Sequence, residues 1–374
     1  MHAVVYRGVN DLRVETVPVP RISANELLVK VAVCGICPTD IKKIQYGTVP
    51  PPRIFGHETA GTVVRIGGGA GSLSRSAAIL ASRFKIGDRV ALHHHVPCLD
   101  CHFCRHRAFA QCSRYKQTGI TAGFEPAGGG FAEYVRVMNF VLPGVVKIPA
   151  RNSFEEGAML EPVNTVLKAV KRLSILRGDV VLVAGQGPVG LMFTRLLQLQ
   201  GANVVATDLL ESRLRLAKKF GARWAIQVPS PKSKVQSQLS TISAFRLPPS
   251  AFPIDAAVIA VPSDEVVRQA LQLVRCGGQI LLFAHTKRKS ALDPRLSTLD
   301  LDLASVCLDE KDIIGSYSSD FTLQDEVARL VFSRRLDIRP LITHYFPLVE
   351  TASAVALAAH PTSDSLKIVV TQNK

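Results

Sequence analysis

The sequence predicts an α/β protein with two parts: a doubly wound parallel sheet, and a mostly β region that carries metal-ligating side chains. Three observations carry this. Asp179 to Asp208, DVVLVAGQGPVGLMFTRLLQLQGANVVATD, has the order strand, glycine turn, helix, strand. Val180 to Ala184 are continuously apolar, as in a strand buried on both faces, and Val189 to Leu199 carry apolar residues at helical intervals. Alternating strand and helix text continues to about residue 318, whereas the text ahead of it is strand-rich and holds four closely spaced cysteines.

Taken in order, residues 1–33 alternate apolar and polar side chains (AVVY, LRVETV, ELLVKVAV), the pattern of short antiparallel strands. CGICPTD and GHETAG follow at 34–40 and 56–61. Residues 67–83 read as an inserted loop, rich in glycine and then in alanine and serine, with one helical turn; FKIGDRVAL and FAEYVRV resume strand character. Ser153 with Glu156 three residues on fits a capping box, and Glu161-Pro162 starts a second helix. DLLESRLRLAKKFGA predicts an amphipathic helix ending at Gly221, while 229–253, rich in Pro, Ser and Lys, predicts a surface excursion. DAAVIAV and GGQILLFA are further buried strands. The remainder predicts a helix over LQDEVARLVFSRRL, an extended ITHYFPLV, another helix and the strand SLKIVV; Arg334, Arg335 and Arg339 are expected in one helix and Lys287 to Lys289 in a loop.

A length of 374 residues suits two domains with a sizeable core. No apolar run reaches the roughly eighteen residues of a membrane span, and the N-terminus runs straight into strand-like text. A cytoplasmic protein with no membrane partner is expected. The net charge of +15 predicts a basic surface, but the basic residues are scattered and no recognition-helix pattern accompanies them, which argues against nucleic acid. Six of eight cysteines fall at or before Cys112, and clustering without a signal peptide argues for metal rather than disulfides; Cys276 and Cys307 stand alone in apolar text.

Gly185, Gly187 and Gly190 have G-x-G-x-x-G spacing. The first permits a tight turn, the second lets a pyrophosphate approach the backbone, and the third lets helix pack on strand, with the helix N-terminus facing the phosphates. Asp208 ends the next strand where a ribose 2′-hydroxyl needs an acceptor, would repel a 2′-phosphate, and is followed by Leu209 and Leu210 rather than a basic pair. NAD is therefore favoured over NADP, with Gly185, Gly187, Pro188, Val189, Gly190, Asp208 and Arg213 as the cofactor-binding set. Cys98, Cys101, Cys104 and Cys112, spaced C-x2-C-x2-C-x7-C, can close a tetrahedral zinc site with no open position, a structural metal; an iron–sulfur cluster is disfavoured. The remaining zinc-capable residues are Cys34, Cys37, His57, Glu58 and Glu161, and a catalytic zinc needs about three protein ligands and one open position.

The order GICPTD, GHETAG, four spaced cysteines, LEP, VAGQGPVG and VVATD resembles the zinc-dependent medium-chain dehydrogenase/reductase family over nearly the whole chain. Glu161-Pro162 resembles its sorbitol (polyol) and threonine dehydrogenase branch. The resemblance implies a Rossmann domain at 163–318, and a GroES-like catalytic domain at 1–162 with the structural zinc lobe at 96–114, to which 319–374 returns. It implies Cys37, His57 and Glu161 as catalytic-zinc ligands, Glu58 as the carboxylate that can exchange onto the metal, and Cys34 as a buried thiol. Thr39 matches the hydroxyl that bonds the reacting oxygen, Asp40 the carboxylate orienting the histidine, and Lys367 a basic residue reaching the pyrophosphate. Relatives carry a relay histidine where this chain has Lys42 and Lys43. His93, His94 and His95 fall where relatives line the substrate pocket, and His94 or His95 is expected to touch a polar substrate. The implied reaction is NAD-linked oxidation of a secondary alcohol of a polyol, with threonine 3-dehydrogenase as the alternative and a basic zinc-lobe protein binding nucleic acid as an alternative of another class. DIIGSYSS at 312–319 resembles the edge strand through which relatives pair, implying a homodimer or homotetramer.

Overall fold

Alternation at the start of the chain produces β1 (His2–Gly8), whose central four residues are buried, and the more exposed β2 (Asp11–Thr16), paired antiparallel. The computed structural model describes residues 1–68, 79, 81–93, 96–117, 128–229, 253–284 and 301–372. The excursion at 230–252, most of the 67–83 insertion, His94, His95 and Lys287 to Lys289 lie outside them.

β3 (Leu27–Gly35) leads into helix α1 (Pro38–Tyr46), which starts with Cys37 as N-cap and proline in its first turn, and stops where Gly47 adopts φ +61° and donates its N–H to the Lys43 carbonyl. After the short β4 (Arg53–Ile54), β5 (Glu58–Ile66) returns antiparallel to β3 in a register that sets Gly35 opposite Glu58. β6 (Arg89–Leu92) follows. The lobe holds α2 (His102–Arg105) and α3 (Ser113–Gln117). β7 (Tyr134–Val137), β8 (Val146–Lys147), α4 (Phe154–Ala158) and α5 (Leu160–Val170) complete this stretch. The capping box at Ser153 and Glu156 is present in both directions.

Next come β9 (Val180–Ala184), α6 (Pro188–Leu199), β10 (Asn203–Asp208), α7 (Glu211–Lys219), β11 (Trp224–Gln227), β12 (Ile254–Ile259), α8 (Asp264–Leu273), β13 (Val274–Leu282), α9 (Leu303–Leu308) and β14 (Asp312–Gly315). The chain closes with α10 (Gln324–Phe332), β15 (Ile342–Pro347), α11 (Thr351–Ala359) and β16 (Lys367–Thr371).

Two compact units result, Met1–Thr165 with Ser318–Lys374, and Val166–Tyr317. In the first, one sheet has the order β15-β16-β3-β5-β6-β8, with β7 also on β3, and a smaller one the order β2-β1-β4. Its apolar residues form two clusters, one around Tyr6, Phe55 and Phe131, the other around Leu27, Val63 and Leu142. In the second, the strands are all parallel in the order β11-β10-β9-β12-β13-β14, reversing direction of growth between β9 and β12. Open sheets of this kind bind ligands beyond the carboxyl ends of the strands at that switch point.

Two expectations are corrected. Arg334, Arg335 and Arg339 do not share a helix: α10 stops at Phe332, Arg334 takes φ +61°, and Arg339 opens a separate short turn. Backbone bonds from the Arg334 N–H to the Val331 carbonyl and from the Leu336 N–H to the Leu330 carbonyl close the helix end, and the Arg334 guanidinium pairs with the buried Glu156 at 3.0 Å. Cys276 and Cys307 are exposed, not set among apolar side chains.

Candidate active site and metal centres

The turn from β3 into α1 delivers Cys37, and the β3–β5 register delivers His57 and Glu58 beside it. Ligand atoms of these three residues all lie within 4.8 Å of one another. His57 is buried, and its Nδ1 is 3.1 Å from Oδ1 of the fully buried Asp40 on α1. With Nδ1 tied to a carboxylate, Nε2 is left as the ligand nitrogen. Burial alone would lower the His57 pKa, but Asp40 and Cys37 beside it hold it well above the usual histidine value. Thr39, on the first turn of α1, donates its N–H to Cys37 Sγ at 3.5 Å. Lys42, half-buried further along α1, has its ammonium pushed below the usual lysine pKa by burial.

Glu161, at the start of α5, is 5% exposed. Burial pushes its pKa up to about 7, against the field of His57 and with that of Glu58. Its oxygens fall outside the 4.8 Å group, so Cys37, His57 and Glu58 are brought together and Glu161 faces them electrostatically. Lys367 on β16 is buried too. Its ammonium donates to Glu58 Oε1 at 2.6 Å and to the Ile36 carbonyl at 2.8 Å. This ion pair was not legible in the sequence, where Lys367 is a single basic residue in strand text. Sulfur from the half-buried Cys37, imidazole nitrogen and carboxylate oxygen from the buried His57 and Glu58 converge as a donor set suited to a zinc with an open position.

In the lobe, Cys98, Cys101, Cys104 and Cys112 also lie with all sulfurs within 4.8 Å. Cys98 Sγ is 3.8 Å and Cys101 Sγ 3.4 Å from Cys104 Sγ. Four sulfurs about 2.3 Å from one tetrahedral zinc stand roughly 3.8 Å apart, so the set fits the ion. The N–H groups of Asp100 and Cys101 bring the Cys98 pKa down to about 6, whereas burial and the neighbouring thiols push Cys104 up to about 12. Full deprotonation of such a cluster calls for a cation. The lobe is tied to the chain's return by a short hydrogen bond between the Tyr115 and Ser318 hydroxyls and by Phe109 edge-on to Phe321, centroids 5.5 Å apart. His93 is buried, with Nε2 3.5 Å from Ser319 Oγ.

The glycine turn sits at the switch point of the parallel sheet. Gly185 takes φ +92°, and a Cβ at Gly187 would meet only open space, the room a pyrophosphate needs. Gly187 caps α6, which Pro188 and Val189 open. A Cβ at Gly190 would stand 1.8 Å from the Gly185 carbonyl oxygen. Gly190→Ala is therefore expected to lower stability by about 1–3 kcal/mol or more through overpacking, read by urea unfolding, and to weaken dinucleotide binding; a wild-type midpoint would refute it. Asp208 accepts N–H bonds from Gln186 at 2.6 Å and Leu210 at 2.9 Å, with Arg213 4.0 Å away on α7. Sequence reasoning passed over Gln186, whose side chain donates to the Val183 carbonyl and accepts from Thr194, bracing the turn from within; its place between two glycines was the available signal.

Residues 23–150 match the family described as alcohol dehydrogenase GroES-like domain, and residues 188–333 the family described as zinc-binding dehydrogenase. The chain is 30% identical to sorbitol dehydrogenase of Gallus gallus over 94% of its length and 91% of the relative's. It is 29% identical to sorbitol dehydrogenase of Bombyx mori over 96% and 95%. A zinc-binding dehydrogenase of Sinorhizobium meliloti bound to NADP superposes with TM-score 0.81 at 26% identity, covering 99% of this chain and 98% of the other. The chain belongs to the zinc-binding medium-chain alcohol dehydrogenase family, oxidoreductases that combine a GroES-like with a Rossmann domain.

Proposed function

We propose that this enzyme transfers a hydride from a secondary alcohol of a polyol, or a related hydroxylated substrate, to NAD. The observation that carries the reading is the convergence of the half-buried Cys37 with the buried His57 and Glu58, with Glu161 facing them. The sorbitol dehydrogenase relatives favour a polyol over the threonine alternative. Zinc, held by Cys37, His57 and Glu161 with Glu58 able to exchange in, would act as Lewis acid and lower the pKa of the substrate hydroxyl. Asp40 holds the His57 ring through Nδ1. Thr39 Oγ1 accepts the hydroxyl proton and passes it outward; Lys42 and Lys43 replace the relay histidine of relatives, so the proton leaves through water or ribose hydroxyls. Cys98, Cys101, Cys104 and Cys112 hold a second, structural zinc.

A panel of sugar alcohols, inositols, threonine and simple secondary alcohols, with NAD and NADP, tests this. Turnover of a polyol with NAD is expected; zinc-loaded protein that turns over none of them overturns the reading. NAD preference rests on Asp208, although the S. meliloti structure is bound to NADP. Asp208→Ala is expected to raise the KM for NAD about tenfold, the cost of a lost charge-assisted bond, and to narrow the preference over NADP. Unchanged KM values for both would remove Asp208 from the ribose site.

Among the described residues no helix is long and apolar enough to cross a membrane. A cytoplasmic location suits thiols that must stay reduced to hold metal. Leu303, Leu308, Ile313 and Tyr317 are exposed at and near the sheet edge β14, which supports pairing of two copies there into a homodimer or homotetramer; sedimentation as monomer alone would exclude it.

A further inference from the structure

Outside the two centres above, another pair of metal-ligating side chains stands on the lobe. His102 and His106 are four residues apart, and the His106 N–H donates to the His102 carbonyl at 3.3 Å, closing one helical turn. At about 100° per residue the two side chains leave the helix within roughly 40° of each other, on the side away from Cys101 and Cys104. Both imidazoles are exposed. Their ring centroids are 4.6 Å apart with planes tilted by 59°. Two imidazoles bound through one nitrogen each to a single ion at about 2.0–2.1 Å, at adjacent positions, have centroids roughly 4.6–5.3 Å apart. The rings already stand at that separation.

We infer that His102 and His106 form a third cation site, a surface chelate for a divalent transition ion that favours imidazole nitrogen: zinc, nickel or copper. Histidines one turn apart on one helix face are a recurring ligand pair. With two protein ligands the other positions go to water, so this ion exchanges freely, unlike one closed in by four thiolates. Of the two arginines flanking His106 in the chain, Arg105 is paired with Asp100 at 3.4 Å. Phe103, edge-on to His102 with centroids 5.9 Å apart, limits the swing of that ring.

The test is independent of the dehydrogenase reading. Zinc is titrated calorimetrically into full-length protein already loaded with its tightly held zinc and freed of excess. One further equivalent is expected for the wild type. Binding should weaken about 10- to 100-fold in His102→Ala and His106→Ala, as a chelate loses one arm, while tightly held zinc and dehydrogenase activity stay unchanged. No further equivalent in the wild type, or one untouched in both variants, overturns the proposal. Should a variant fail to fold, acylation of wild-type histidines by diethyl pyrocarbonate, mapped by peptide mass spectrometry, gives the answer: added zinc must protect His102 and His106 together, and equal labelling with and without zinc refutes the site.

Discussion

Cys112→Ser is expected to strip the lobe of its metal and to melt it. Cys112 is fully buried and contributes one of four sulfurs, and apart from the cysteines themselves the lobe's small core holds only Tyr115 and Phe109 among the described residues. Structural zinc supplies apparent free energy of the order of 10 kcal/mol in small lobes, comparable with the whole stability of a domain. Loss of one zinc per chain by metal analysis, a lower Tm and new proteolytic sensitivity within 96–117 are the expected readouts. The effect should spread to the Ser318–Phe321 segment, because Tyr115 and Phe109 no longer hold it. Retention of both zinc ions and of the wild-type Tm would show that the four thiols are not a metal site.

Lys367→Met should cost about 3–5 kcal/mol in the metal-free protein, the usual consequence of leaving one partner of a buried ion pair uncompensated. Glu58 is 2% exposed and Lys367 5% exposed, so water cannot take over. Two further comparisons separate charge from packing. The double variant with Glu58→Gln should recover most of the loss, and zinc should shield Glu58 and reduce the loss in the single variant. Urea unfolding with and without chelator reads both. Equal destabilisation by the single and double variants would mean that the methylene stem of Lys367, not its charge, matters.

What could be read from the sequence was whatever its spacing alone encodes. Gly185, Gly187 and Gly190 fix backbone geometry within a few residues, and the four lobe cysteines converge over one short stretch, so the turn and the convergence were both legible. Cys37, His57 and Glu58 were legible only by resemblance, because their meeting depends on the β3–β5 register. The partnership of Lys367 with Glu58 was beyond reach for the same reason, joining β16 to β5 across most of the chain. Arg334 shows the complementary failure: its local text reads as helix, whereas backbone bonds close a left-handed turn there and its side chain pairs with the distant Glu156.

β16 is inserted between β15 and β3, pairing Val369 with Gly35 and Val370 with Cys34. The order of synthesis therefore matters. The parallel-sheet unit is one continuous segment, 166–317, and can close while later residues are still being made. The lobe cysteines, close together and early, can capture their zinc sooner still. Cys37, His57, Glu58 and Glu161 also come early, but Glu58 must wait for its partner Lys367, 309 residues further on. A nascent chain would thus carry Glu58 without its buried counter-ion until β16 slots in beside β3.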